Sequence, residues 1–471
     1  MAETGTRNFM RRKIGHIHFI GIGGIGMSGI AEVLLNLGYR VSGSDLQCTD
    51  TTERLRLLGV RLYYGHAAAN LGNAQAVVTS TAIPSGNPEV DEARRRGIPV
   101  IPRAEMLAEL LRMKESVAVS GCHGKTTTTS MISSILSFGG LDPTMVIGGK
   151  LLSIGTNARL GSGDIIVAEA DESDGSFLGL APLIAVITNI DREHLDYYRD
   201  IDEIKDAFVQ FANSVPFYGA TILGVDCGHV RDILPRIKRR VITHGVSEEA
   251  DYRACDISFH RMSSHYTLSS DGETHKRIQL MVPGLFNVSN SLAAIAAARE
   301  LDMTLPDIMK GIESYTGVQR RLEIKGSREG ILVVDDYGHH PTEIRETLKA
   351  ARQVWGGRIT VVFQPHRYSR TRALFEEFIG AFNDADRVIL TDIYGAREAA
   401  IPGVHASLLS EAIEKGGHGD VRYIAGFDDI VSFLRSETSA PDTIITLGAG
   451  NVWKVGEAFL EAGDDAKGPE R

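Results

Sequence analysis

Short runs of β-prone residues alternate with helix-period segments along almost the whole chain, and this alternation restricts its fold more than any other feature. Ile17–Ile20 leads through a glycine-rich stretch to the periodic segment Ile30–Leu37, closed by Gly38. Arg40–Ser42, a helix around Thr52–Leu58 and the strands Arg61–Tyr64 and Ala76–Ser80 follow. Such repetition predicts parallel sheets wrapped by helices, because parallel neighbours need a long crossover and a helix supplies it. The same kind of beginning recurs twice. Ser116–Ser120 feeds a second glycine loop and a helix from about Thr126 to Phe138. Ile331–Val334 opens a third set, with strands at Arg358–Phe363, Arg387–Thr391 and Thr443–Leu447. A chain of 471 residues is too long for one core. The expectation is therefore an α/β protein of three domains, 1–113, 114–325 and 326–471, with the charged segment Ala104–Lys114 at the first boundary. The tail Gly463–Arg471 is expected to fray.

The 50 Lys and Arg against 60 Asp and Glu give a net charge of -10, which offers no basic field for a nucleic-acid backbone. Cys48, Cys122, Cys227 and Cys255 form no CxxC pair, so neither a zinc knuckle nor a disulfide framework is expected, and a reducing cytoplasm fits. The basic start (Arg7, Arg11, Arg12, Lys13) runs into His16, His18 and glycines rather than an apolar signal core. No stretch approaches the roughly 18 apolar residues that would span a membrane.

Gly121-Cys122-His123-Gly124-Lys125-Thr126-Thr127 follows a strand and opens a helix. Glycines let backbone N–H groups approach phosphate oxygens, the lysine adds a point charge and Thr126 offers Mg²⁺ a hydroxyl. The loop is a shortened phosphate cradle, since Val119 stands where the general pattern has its first glycine. Gly21-Ile22-Gly23-Gly24-Ile25-Gly26 also lies between strand and helix, with Asp45 about twenty residues on, in the manner of a Rossmann fingerprint. It would serve a dinucleotide oxidoreductase as well as another nucleotide ligand. The carboxylates of Glu169–Asp174 stand at the end of a strand, beside the phosphate loop's expected position, and suit Mg²⁺. His194, in Asp191–Asp196, is a metal ligand or a surface histidine. Asn287 and Asn290, three apart, share a helical face and suit a purine edge, unless Asn287 only caps its helix. Arg320 and Arg321 are available to a phosphoryl group. In the third domain Asp335–Pro341 and Gln364–Arg370 are polar clusters at strand ends, the second with arginines suited to an amino-acid carboxylate.

In this order the motifs resemble the Mur ligases, especially their alanine-adding branch. The resemblance rests on Gly21–Glu32, Ser42–Asp45, Gly121–Thr129, Glu169–Asp174, Asn189–Asp196, Phe286–Asn290, Arg320-Arg321, Asp335–Glu343, Phe363–Thr371 and Gly448–Asn451, and so covers nearly the whole chain. It implies a Rossmann-like N-terminal domain holding UDP-N-acetylmuramate through Gly21, Gly23, Gly24, Ile25, Gly26 and Asp45. It implies a central P-loop-type ATPase domain binding ATP through Gly121, Cys122, His123, Gly124, Lys125, Thr126, Thr127, Asn287, Asn290 and Arg321. A Rossmann-like C-terminal domain would place His339, His366, Arg367 and Arg370 around L-alanine. Thr126, Glu169 and His194 would hold Mg²⁺, two ions in all. The residues implied in catalysis are Lys125, Glu169, His194, Arg321 and Asp336, with His194 and His339 as candidate proton acceptors. Phe286 stands where many members carry His, and Val209 where other Mur ligases use a carbamoylated lysine; the alanine-adding branch does without that lysine. The activity implied is ATP-dependent amide formation in peptidoglycan precursor synthesis, by a cytoplasmic monomer or weak homodimer.

Overall fold

The computed structural model describes residues 10, 13–80, 82–147, 158–247, 249–270, 272–396 and 398–461. The basic start at Arg7, Arg11 and Arg12 and the tail from Gly463 lie outside them. Three sheets follow one another along the chain. The first comprises β1 (His16–Ile20), β2 (Arg40–Asp45), β3 (Arg61–Tyr64), β4 (Ala76–Thr79) and β5 (Val100–Pro102), all parallel, in the order β3-β2-β1-β4-β5. The order reverses direction at β1, so the crevice of this sheet opens beyond Ile20, at the glycine loop.

The second sheet has ten strands: β6 (Glu115–Ser120), β7 (Thr144–Val146), β8 (Ala158–Arg159), β9 (Ile165–Glu169), β10 (Ile184–Ile187), β11 (Ala220–Gly224), β12 (Val241–Gly245), β13 (Tyr252–His260), β14 (Ser263–Ser270) and β15 (Glu273–Leu280). β6 lies between β9 and β10, parallel to both. The third sheet runs β16-β17-β21-β18-β19-β20, with β16 (Glu323–Arg328), β17 (Ile331–Asp336), β18 (Ile359–Phe363), β19 (Arg387–Leu390), β20 (Val421–Tyr423) and β21 (Thr443–Leu447).

Purely parallel sheets are found only in the first domain. β13, β14 and β15 form an antiparallel meander, β8 runs antiparallel to β7, and β16 runs antiparallel to β17. The meander alternates inward Tyr266 and Leu268, or Ile278 and Leu280, with polar residues. One face is therefore buried and the other left polar, a pattern that antiparallel strands tolerate and buried parallel strands do not.

The domains are joined in two different ways. A continuous apolar cluster contains Ile30, Leu34 and Leu107 of the first domain together with Ala118, Val146, Phe177 and Phe211 of the central one. Phe286 of the central domain packs against the core of the third, and that second seam also carries pairs of titratable groups, among them His123–Glu343, Glu193–His339, Asp196–Arg367 and Glu193–Arg370. Among the described residues no helix is long and apolar enough to cross a membrane.

Candidate active site

β6 ends at Ser120 and the helix Lys125–Phe138 begins five residues later, so the intervening loop sits at the N-terminus of a helix, where backbone N–H groups and the helix dipole favour an anion. Gly124, at φ 82°, is the helix N-cap. A Cβ there would come within 2.5 Å of Asn290 Oδ1, and a Cβ on Gly121 would run into Thr188 Oγ1. Glycine is needed at both positions because neighbouring side chains press on the backbone. Lys125 Nζ donates to Gly121 O (2.7 Å) and lies 2.9 Å from Glu172 Oε1. Burial works against its charge, but Glu172, Asp171 and Glu193 outweigh this and hold the ammonium above its ordinary range.

Glu169 is the last residue of β9, next to β6, and lines one cavity with Lys125, Thr126 and His194. Glu169, Thr126 and His194 are oxygen and nitrogen ligands around a phosphate loop and fit a divalent cation. The closest cluster around His194 is a different one, however. One ligand atom each from Glu172, Glu193 and His194 lies within 4.8 Å of the others, with His194 Nε2 3.5 Å from Glu172 Oε1. Burial opposes a positive charge on His194, as does Lys125 nearby, yet the carboxylates of Glu172 and Glu193 outweigh both and raise its pKa. Val209 is a partly buried apolar side chain packed against the core cluster shared by the first two domains.

The two adjacent arginines are turned to different tasks. Arg320 is tied into its own domain by Asp335 Oδ2 (2.8 Å), Gly448 O (2.6 Å) and Gly450 O (3.2 Å). Arg321 faces the cavities, 3.6 Å from Glu343 Oε1. Asp336 accepts from Leu322 N–H (2.8 Å) and Gly338 N–H (2.7 Å), and burial pushes its pKa up to about 6. It shapes the strand end while lining a cavity with Asn287, Asn290 and Arg321.

His339 lies 3.6 Å from Glu193 Oε1, and its ring meets that of His366 edge to face at 5.7 Å. Burial, followed by His339 and Arg370, lowers the pKa of His366 to about 3, leaving a neutral ring that accepts from Arg370 (3.0 Å). Arg367 and Arg370 reach across the seam to Asp196 Oδ2 (3.3 Å) and Glu193 Oε1 (2.9 Å). These arginine forks thus hold carboxylates of the central domain.

Two cavities collect most of these groups. One of about 620 Å³ is lined by Gly24 and Gly26 of the first domain, by Lys125, Thr126, Glu169 and His194 of the central one, and by Arg321, His339 and Arg370 of the third. The other, about 280 Å³, is lined by Phe286, Asn287, Asn290, Arg321 and Asp336. Asn287 is not a helix cap; that position belongs to Gly284, and the Asn287 amide donates to Pro283 O (2.7 Å). Asp45 Oδ2 accepts from Gly23 N–H (2.8 Å), which fastens the first glycine loop to the end of β2. His366 and Arg367 are outside both cavities, although Arg367 lines a third, smaller one against His194.

Several residues outside the expected set are as central. Glu172 and Glu193 surround His194. Asp191 joins His123 (3.0 Å) to Thr342 (2.7 Å), Glu343 lies between His123 and Arg321, and Arg103 reaches Asp171 (3.4 Å) across the first seam. Four of them (Asp191, Glu172, Glu193 and Glu343) lie inside motifs already singled out, so their presence is legible but not which one faces the ligand.

Fold and site together define a three-domain α/β nucleotide-binding protein whose phosphate loop opens into a cavity shared by all three domains. This chain belongs to the Mur ligase family. Residues 16–115 match the family description "Mur ligase family, catalytic domain", 119–298 the "Mur ligase middle domain" and 320–450 the "Mur ligase, glutamate ligase domain". It is 62% identical over 451 residues to a UDP-N-acetylmuramate–L-alanine ligase of Syntrophus aciditrophicus (strain SB), covering 96% of this chain and 94% of that one. The solved UDP-N-acetylmuramate–alanine ligase of Thermotoga maritima superposes with a TM-score of 0.80 at 28% identity, over 94% of this chain and 98% of the other. A murein peptide ligase of Psychrobacter arcticus gives 0.71 at 25% identity, with the same coverage.

Proposed function

We propose that this chain joins L-alanine to the lactyl carboxylate of UDP-N-acetylmuramate at the expense of ATP, forming UDP-N-acetylmuramoyl-L-alanine, ADP and phosphate for peptidoglycan synthesis. The observation that carries this reading is the 620 Å³ cavity, where a phosphate loop, the first domain's glycine loop and the third domain's cationic cluster face one space. The 62% identical relative named for this reaction supports the choice of substrates.

A carboxylate does not react with an amine at useful rates, so the γ-phosphoryl group of ATP is first transferred to it, giving an acyl phosphate. The deprotonated amine of alanine then adds to the acyl carbon and phosphate departs. Lys125 and Arg321 stabilise charge on the transferring phosphoryl oxygens. Asn287 and Asn290 meet the adenine in the smaller cavity, whose far wall Asp336 shapes. Gly21, Gly23, Gly24, Ile25, Gly26 and Asp45 hold the UDP moiety, and His339, His366, Arg367 and Arg370 surround the amino acid. Thr126, Glu169 and His194 would hold two Mg²⁺ ions, which supply charge neutralisation at the phosphates. Closure of the third domain excludes water from the acyl phosphate.

The division 1–113, 114–325 and 326–471 is supported by the spans of the three sheets, except that β16 and the preceding Arg320 and Arg321 go with the third domain, which puts the last boundary a few residues earlier. The protein acts in the cytoplasm as a monomer or weak homodimer. The test is phosphate release from ATP in the presence of UDP-N-acetylmuramate and each amino acid in turn. Release is expected to be fastest with L-alanine; none with alanine, serine or glycine contradicts the proposal.

A further inference from the structure

Where the central and third domains meet there is a second cluster of metal-ligating side chains, separate from the one around His194. His123 of the phosphate loop, Asp191 after β10 and His340 after β17 each offer one donor atom, all within 4.8 Å of one another. His123 Nε2 lies 3.0 Å and His340 Nδ1 3.7 Å from Asp191 Oδ2, and the two rings are 4.8 Å apart. Ligand atoms about 2.0–2.1 Å from a tetrahedral zinc ion lie somewhat over 3 Å from each other, so small side-chain shifts would close this set on an ion.

The outward-facing nitrogens make the same point independently. A metal-bound imidazole usually donates its other N–H to a carboxylate or a backbone carbonyl, which fixes the tautomer. His123 Nδ1 faces Glu343 Oε1 at 3.5 Å, and His340 Nε2 faces Arg192 O at 3.3 Å. Both histidines are therefore set to present the remaining nitrogen toward Asp191. Thr342 Oγ1 donates to the same Asp191 oxygen (2.7 Å) and orients it. Among the described residues, His340 Nδ1 also accepts from Thr342 N–H at 3.3 Å as the N-cap of the helix Pro341–Val354, a bond that the ion would replace.

We propose that His123, Asp191 and His340 form a transition-metal site, of zinc type, that tethers the third domain to the phosphate loop. Two imidazoles and one carboxylate select a borderline ion such as Zn²⁺ over Mg²⁺, which prefers oxygen. His123 and Asp191 also line the smaller cavity, so a bound ion would stand at its edge.

Equilibrium dialysis of the full chain against Zn²⁺, with Mg²⁺ in large excess to occupy oxygen-rich sites, tests this. One Zn²⁺ per chain is expected for the wild type, with affinity at least about tenfold weaker in both His340→Gln and Asp191→Asn and unchanged in His194→Ala. Thermal unfolding of each variant separates a lost ligand from a lost fold. Absence of stoichiometric Zn²⁺ in the wild type overturns the proposal, as does loss in His194→Ala with retention in a folded His340→Gln protein.

Discussion

Glu193 of the central domain and Arg370 of the third lie 2.9 Å apart, with only 6% and 10% of their side chains exposed. Two buried charges on opposite sides of a domain seam are desolvated only while the seam is closed, so the pair makes closure selective for a complete fit. Burial works against the charge of Glu193, but His339, Arg370 and His194 together hold its pKa well below the ordinary carboxylate range.

Arg370→Met leaves Glu193 buried without its nearest cationic partner, a change that costs roughly 3–5 kcal/mol where a buried pair is broken. The expected outcome is a kcat lowered about a hundredfold or more, with UDP-N-acetylmuramate affinity unchanged, because the first domain takes no part in the pair. Steady-state kinetics and calorimetry check both halves.

Lys125→Ala removes the ammonium that Glu172 and the loop carbonyls now hold over the phosphate site. Loss of a positioned electrostatic group of this kind lowers turnover by about 10²–10³ or more. Binding of the UDP-sugar, measured without ATP, is expected to survive.

Gly124→Ala meets two obstacles at once, a left-handed φ of 82° and the Asn290 side chain. The backbone alone costs about 1–2 kcal/mol. A lower thermal midpoint and a raised KM for ATP are expected together, since Asn290 is pushed out of the smaller cavity.

In the metal-free protein the pH dependence of stability follows from two neighbouring histidines, His123 and His340, whose rings lie 4.8 Å apart and tilted by 43°. Burial opposes the charge of His123, but Asp191 and Glu343 raise its pKa to about 10. Its contribution is complete below about pH 6.5 and is lost as pH rises toward 10. Burial first, and His123 second, lower His340 to about 4, so its neutral ring contributes above pH 6.5 and that contribution is lost as pH falls toward 4. Urea midpoints should therefore peak near pH 6.5, with each histidine contributing a slope of at most roughly 1.4 kcal/mol per pH unit. His123→Gln should flatten the alkaline decline; a wild-type midpoint that keeps rising from about pH 7 to 9 contradicts this assignment.

The alternation of strands and helices, the three beginnings and both glycine loops were legible in the sequence because each depends on local chemistry: β-branched runs, glycines under steric pressure and helix starts. The meander from Tyr252 to Leu280 was not, since each strand carries only one short inward alternation (Tyr252 and Ala254, Tyr266 and Leu268, Ile278 and Leu280) in an otherwise polar run. In the site, Lys125, Thr126 and Glu169 could be named from their places at strand ends and a helix start. The roles of Asp191, Glu172, Glu193 and Glu343 could not, because each depends on a partner hundreds of residues away or on a choice among adjacent carboxylates. Arg320 and Arg321 make the same point: the residues are adjacent, but only the packing of Gly448 and Gly450 shows which one is structural.

In the proposed reaction a carboxylate is activated by phosphoryl transfer in the three-domain cavity and then captured by alanine. UDP-N-acetylmuramate carrying a heavy-oxygen label in its lactyl carboxylate, turned over with ATP and L-alanine, tests this most directly. The released phosphate is expected to acquire one labelled oxygen for every amide formed; unlabelled phosphate accompanying amide formation would rule out the acyl phosphate.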